Sequence, residues 1–293
     1  MSLDAYLVTA SHRTQDLGSE WADAVRARLP APLAQRLGAR DQPPDIRLLA
    51  HLIRQCPDQQ SVEGFLNWLA TLSPGALYEL LAPHAGDSLP ANLGPLCAEA
   101  RELLADWHDA YFRQVDPTIL TTLAAEAERW RRMAIGMPAD QLIDEITGSL
   151  WLEPTPETVT IYLIPQFHKR PVYLYENGPG QIILYLPVRD LPTPAGLPPT
   201  SLLRLTRTLA DESRLRILYL LAGGPLSFAD VVRQSGLTKG TVSRHLWMLR
   251  FARLVRGHYA NGAVARYSLR PGALAQVSDA LQRFVAPPER PRR

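Results

Sequence analysis

The sequence predicts an α+β chain: a mostly helical N-terminal domain with a small antiparallel sheet, then a C-terminal domain of short helices that ends in a hairpin and a last helix. Three observations carry this. Apolar residues before Thr158 return at three- or four-residue intervals and then give way to short runs rich in β-branched and aromatic residues. The stretch DLPTPAGLPPTS, Asp190 to Ser201, holds four prolines that deny a helix its hydrogen bonds and favour an extended spacer. Beyond it, helical patterns precede two alternating runs that meet at Asn261-Gly262, a strong short hairpin signal. The boundaries follow: 1–190 for the first domain, 191–200 for the linker, 201–293 for the second.

The helical segments of the first domain are WADAVRARL, DIRLLAHLIRQC, SVEGFLNWLATL, SPGALYELLAPH, LCAEARELLADWHDAYFRQV, PTILTTLAAEAERWRRMAIG and PADQLIDEITGSL. Strands are expected at TVTIYLIP, PVYLYE and QIILYLPV, with ENGPG as the turn between the last two.

A chain of 293 residues is long for one core, in keeping with two domains. Hydrophobic content of 46% and charged content of 20% describe a globular protein, and no window approaches the roughly 18 apolar residues of a membrane span. The start MSLDAYLVTASHR lacks a basic segment followed by an apolar run, so no signal peptide and no membrane partner are expected, and the expected location is cytoplasmic. Cys56 and Cys97 are too few and too far apart for a disulfide framework or a thiolate metal site.

Charge is unevenly placed. From Thr200 onward 16 Lys and Arg face 5 Asp and Glu, a net of +11, which leaves 15 basic and 24 acidic residues before it, a net of −9. A basic C-terminal part suits a polyanion.

In that part, Asp211 or Ser213 caps a helix with Leu215, Leu218 and Leu221 on one stripe, and Gly223-Gly224 end it. Ser227 followed by Asp230 has the spacing of a capping box, and Gly236 closes this second helix in a left-handed turn. Thr238 caps a third. Two helices joined by SGLT have the helix-turn-helix layout, whose second helix enters the major groove. Val242, Leu246 and Leu249 form its inward stripe, which leaves Lys239, Thr241, Ser243 and Arg244 for base edges and phosphates. The hairpin LVRGHYANGAVARYSL reads as a wing, with Arg266 on the face away from the core and Arg256 and His258 nearby. A plain surface hairpin with a solvated Arg266 is the alternative.

Leu209 to Leu269, from LADESRLRIL through GLTKGTVSRHLWMLRFARLV to the strand-turn-strand, resembles the winged helix of ArsR-type transcriptional repressors over a fifth of the chain. The resemblance implies a cytoplasmic homodimer on a palindromic double-stranded operator, released by an effector. It also implies that Thr238, Lys239, Thr241, Ser243, Arg244 and His245 stand where the family contacts DNA. The sequence departs from the relatives that sense metals: LSFADVV holds no cysteine, and GALAQVSDALQRFV offers Asp279 without histidine. No metal or cofactor is therefore expected. That last helix carries Leu274, Val277, Leu281 and Phe284, either a dimer seam or a face folded back on its own domain.

The first domain resembles, in its order of helices then sheet, the uncharacterised domains that precede some ArsR-type winged helices. That implies an effector-binding or dimerising module whose small-molecule ligand is unknown. It contains no GxSxG, GxxxxGK[ST], HExxH or GxGxxG after a strand, so no catalytic residue is expected and the chain is read as a non-enzyme. Glu102, Asp106, Asp109 and His108 lie along one helix, either a divalent-cation cluster or a solvated face. Trp68, Trp107, Tyr111, Trp130 and Trp151 are core aromatics or pocket walls, and His168, Lys169 and Arg170 mark a turn that is either solvated or anion-binding. Two alternatives stand beside a DNA-binding regulator: an enzyme with an appended winged-helix anchor, and an interaction module that docks through it.

Overall fold

The structure, a computed structural model, describes residues 1–8, 15–38, 46–58, 61–85, 89–152, 160–178, 180–188, 193–194, 196–260 and 263–286. Parts of the Pro-rich linker, the Asn261-Gly262 turn and the tail APPERPRR after Ala286 lie outside the described residues.

The chain forms two compact units, Met1–Thr121 with Val159–Pro187, and Thr122–Thr158 with Val188–Arg293. In chain order the elements of the first are α1 (Ser2–Leu7), α2 (Gly18–Arg26), α3 (Ala31–Gly38), α4 (Ile46–Ile53), α5 (Val62–Thr71), α6 (Pro74–Ala85), α7 (Leu93–Ala110) and the start of α8 (Pro117–Ala134). There follow α9 (Ala139–Thr147) and β1 (Leu150–Leu152) in the second unit, then β2 (Thr160–Gln166), β3 (Leu174–Gly178) and β4 (Gln181–Pro187) in the first. The second unit continues with α10 (Thr200–Leu209), α11 (Glu212–Ala222), α12 (Phe228–Ser235), α13 (Lys239–Phe251), β5 (Val255–Ala260), β6 (Ala263–Leu269) and α14 (Ala273–Val285).

In the first unit α7 serves two apolar cores. Its Cys97 and Ala100 pack with Leu52, Leu69 and Leu81, and one turn on its Leu103 and Trp107 pack with Leu3, Tyr6, Val25 and Leu37. Both cysteines are buried here as free thiols. The sheet has the order β2-β4-β3 and is mixed, which corrects the expectation of an antiparallel one: β3 and β4 form the hairpin, but β2 pairs with β4 in parallel. The apolar run IILYL accounts for this, because Ile183, Leu184, Tyr185 and Leu186 are all buried, as a central strand covered on both faces requires.

The second unit departs from the sequence-derived boundary. The linker was expected to separate the domains, yet Thr122–Thr158, upstream of it, belongs to the same unit as the C-terminal helices. The reason is a strand too short to be read from pattern. Helix α9 stops at Thr147 instead of running on through Leu150, because Gly148 takes a left-handed φ of 62° and its N–H bonds to Asp144 O at 2.7 Å. The next three residues, β1, then pair in parallel with β5, with Trp151 beside His258.

Candidate nucleic-acid interface

The core of the second unit is built from Ile217 and Leu221 of α11, Val231 of α12, Val242, Leu246 and Leu249 of α13, and Val255 of β5. Three side chains start three of its helices, α11, α12 and α13. Asp211 accepts from Arg214 N at 3.0 Å. Ser227 accepts from Asp230 N at 3.1 Å while its hydroxyl donates to Asp230 Oδ2 at 2.6 Å, and Thr238 Oγ1 accepts from Thr241 N at 3.3 Å. Both acids are held below the usual carboxylate range, Asp211 chiefly by the Arg214 amide and Asp230 chiefly by the Ser227 hydroxyl. Between α12 and α13, Gly236 sits at φ 71°, a conformation that glycine adopts without strain. The result is a helix-turn-helix, followed by the hairpin β5-β6. Leu226 joins β6 through reciprocal backbone bonds with Tyr267 of 2.9 and 2.8 Å.

At the N-terminal end of α13, Thr238, Lys239, Ser243 and Arg244 are exposed and Thr241 is half-buried. Among the described residues, the side chains of Lys239, Ser243 and Arg244 make no hydrogen bond or ion pair. The Thr238 and Thr241 hydroxyls lie 2.9 Å apart, so the Thr241 hydroxyl is engaged with the capping one. Arg266 is exposed on β6.

Two residues expected at this surface are engaged within the unit instead. His245 is buried, with 4% of its surface accessible. Position 245 lies at i+3 from Val242, on the same side as Leu246 and Leu249, so the inward stripe is one residue wider than apolar spacing alone implied. Burial, with Arg214 and Arg244 adding to it and Asp211 opposing, lowers its pKa below the ordinary histidine value. Arg214 beside it is also buried, and donates from Nε to Thr208 O at 2.6 Å and from Nη2 to Arg207 O at 2.9 Å. Sequence reasoning passed over this staple because an arginine two residues past a helix start reads as solvated.

Arg256 is the second. It is ion-paired to Asp144 of α9, and its guanidinium carbon lies 5.3 Å from the Trp151 ring centroid. Trp151 thus lies against the wing, near Arg256 and His258.

In the first unit several candidate residues have partners. Asp106 pairs with Arg36, Asp109 with Arg113 at 3.3 Å, and His108 Nε2 meets Glu63 Oε1 at 3.0 Å. Asp106 and Asp109 are thus held in ion pairs and His108 in a hydrogen-bond contact, while Glu102 is exposed; among the described residues no group of three or more His, Cys, Asp or Glu side chains gathers as metal ligands. His168, Lys169 and Arg170 are buried, not a solvated turn: Lys169 pairs with Asp4, His168 Nε2 lies 2.8 Å from Tyr111 Oη, and Arg170 stacks 4.2 Å from the Phe167 ring centroid. Trp21, Val25, Arg28, Tyr111, Ile119 and Phe167 are among the residues that line a cavity of about 320 Å³. The Trp21 indole N–H donates to Tyr111 Oη at 3.1 Å, which fixes two of its walls.

The family description "Bacterial regulatory protein, arsR family" matches residues 211–256, from the α11 cap into β5. The HTH-type transcriptional regulator Rv2034 of Mycobacterium tuberculosis is 38% identical over 81 residues, 28% of this chain and 75% of that protein. The chain belongs to the ArsR family. A second member, the HTH-type transcriptional regulator CmtR of Mycobacterium bovis, is 38% identical over 86 residues, covering 29% of this chain and 72% of its own length. The transcriptional repressor SdpR of Bacillus subtilis is 28% identical over 79 residues, covering 27% and 87%. This chain is accordingly a transcriptional regulator of ArsR type. The ArsR domain here is extended by elements from Thr122–Thr158, which lie before the matched region. Among the described residues no helix is long and apolar enough to cross a membrane.

Proposed function

We propose that the chain is a sequence-specific repressor that binds a palindromic operator as a homodimer, with its affinity modulated by a signal received in the first unit. The observation that carries this is the N-terminal end of α13. There Lys239, Ser243 and Arg244 stand exposed and uncommitted on a unit rich in positive charge, where a helix terminus attracts phosphate and an arginine fork fits a guanine edge. Arg266 extends the basic surface to the wing.

The face of α14 supports the dimer. Ala273 and Val277 pack on the core of the unit, whereas Leu274 and Val285 remain 69% and 70% exposed, with Leu281 and Phe284 beside them. An apolar stripe of that kind suits a second copy of itself, and a two-fold axis would present two recognition helices to two half-sites. The cavity lined by Trp21, Tyr111 and Phe167 is where we place reception of a small signal, since its volume of about 320 Å³ lies at the lower end of the range of ligand pockets.

Selection of duplexes from a random pool by the full chain tests the reading. Enrichment of an inverted repeat with half-sites about one helical turn apart is the expected result. Recovery of a non-symmetric motif would overturn the dimer, and recovery of no motif would overturn sequence-specific binding.

A further inference from the structure

Three consecutive residues of α9 grip three arginines of the winged helix. Asp144 pairs with Arg256, Glu145 with Arg270 at 3.7 Å, and the Ile146 carbonyl accepts from the Arg253 guanidinium. Directly after them β1 closes the free edge of β5.

The register shows what this arm covers. Arg256 opposes Ser268 and His258 opposes Arg266, so these four side chains share one face of the wing, the face on which Arg266 is exposed. In the parallel pair Trp151 stands beside His258, with its ring 6.4 Å from the imidazole and 5.3 Å from the Arg256 guanidinium carbon. An acid and an indole from upstream therefore lie over the base of the basic face that a wing offers to phosphate.

The grip on Arg256 is incomplete. Only Nη2 reaches Asp144 Oδ2, and among the described residues the buried Arg256 Nε and Asp144 Oδ1 have no hydrogen-bond partner. A phosphate can take a guanidinium through two parallel bonds, which are stronger and more directional than this single one.

We infer that α9 and β1 form an internal latch on the wing, in which the Asp144 carboxylate occupies the place of a DNA phosphate at Arg256. Release of the latch adds one phosphate contact per subunit, so a signal that moves α9 raises DNA affinity without touching the recognition helix. The inference rests on the DNA-binding reading above and goes beyond it.

The test is fluorescence anisotropy of the full chain on the duplex recovered by selection, across a salt series. Asp144→Asn, which keeps shape and removes charge, is expected to tighten binding about tenfold and to steepen the slope of log affinity against log salt by about 0.9 for each added phosphate. Arg256→Gln in the same chain should cancel both changes, and Arg256→Gln alone should leave affinity unaltered. Unchanged or weaker binding by a folded Asp144→Asn overturns the latch. Should that variant fail to fold, the single Arg256→Gln variant decides: a loss of about tenfold would show that Arg256 already contacts DNA and overturn the latch. Absence of binding by the unmodified chain would instead overturn the DNA reading itself, and the latch with it.

Discussion

Gly148 and Arg253 interlock. A Cβ placed on Gly148 would lie 3.0 Å from Arg253 Cδ and 3.1 Å from its Cγ and Nε, while Arg253, itself at φ 60°, sends its guanidinium to the carbonyl of Ile146. The end of α9 and the end of α13 thus fix each other. Gly148→Ala must adopt the left-handed conformation and displace Arg253. It is expected to lower stability by about 1 to 2 kcal/mol, read as a fall in the denaturant midpoint with unchanged slope. A change within about 0.3 kcal/mol would mean that α9 is not held at this point.

Thr238 separates folding from recognition. Its hydroxyl caps α13 at the spot where phosphate is expected. Thr238→Ala should cost about 1 kcal/mol of stability. Thr238→Asp keeps a capping oxygen and favours the helix terminus, yet adds a negative charge facing the nucleic acid. It is expected to retain the melting temperature and lose DNA affinity, which calorimetry and anisotropy on the same sample would resolve.

Much of this interface is legible from sequence because short-range chemistry writes it. Ser227 and Asp230, Gly236, and Thr238 sit at fixed offsets, and each makes the turn or cap that its residue type allows. His245 was misplaced because a polar residue at i+3 reads as the edge of the outward face, although the helix turns it toward Asp211 and Arg214. The pairing of β1 with β5 and of Asp144 with Arg256, 112 positions apart, leaves no local signal; only the folded chain brings them together. The buried His168, Lys169 and Arg170 were illegible for the same reason, since Tyr111, Asp4 and Phe167 that receive them are set by tertiary packing.

His168 makes the first unit acid-sensitive. Burial, followed by the positive N-terminus and Arg170, lowers its pKa from 6.5 to about 3. The folded state holds it neutral while the unfolded chain takes up a proton below 6.5, so its contribution is complete above that pH and declines as pH falls. The loss amounts to about 1.4 kcal/mol per pH unit between 6.5 and 3. Thermal unfolding at pH 7 and pH 5 should show a drop that His168→Gln reduces. An equal drop in the variant would place the acid sensitivity elsewhere.

The proposed dimer can be measured through the exposed stripe of α14. Leu281→Asp with Phe284→Ser removes apolar surface on the outward face while Ala273 and Val277 still hold the helix to its core. Light scattering after size-exclusion chromatography is expected to show a dimer for the unmodified chain and a monomer for the variant, with helix content retained. A monomer for both would remove the dimer from the account.

The central claim is that the N-terminal end of α13 reads DNA. Its most direct test is anisotropy of the full chain on its selected duplex at two salt concentrations, against a Lys239→Ala, Arg244→Ala variant. The expected result is binding that weakens with salt, a loss of about tenfold or more in the variant, a shallower salt slope and an unchanged melting temperature. Equal affinity and equal salt slope for both proteins would contradict the claim.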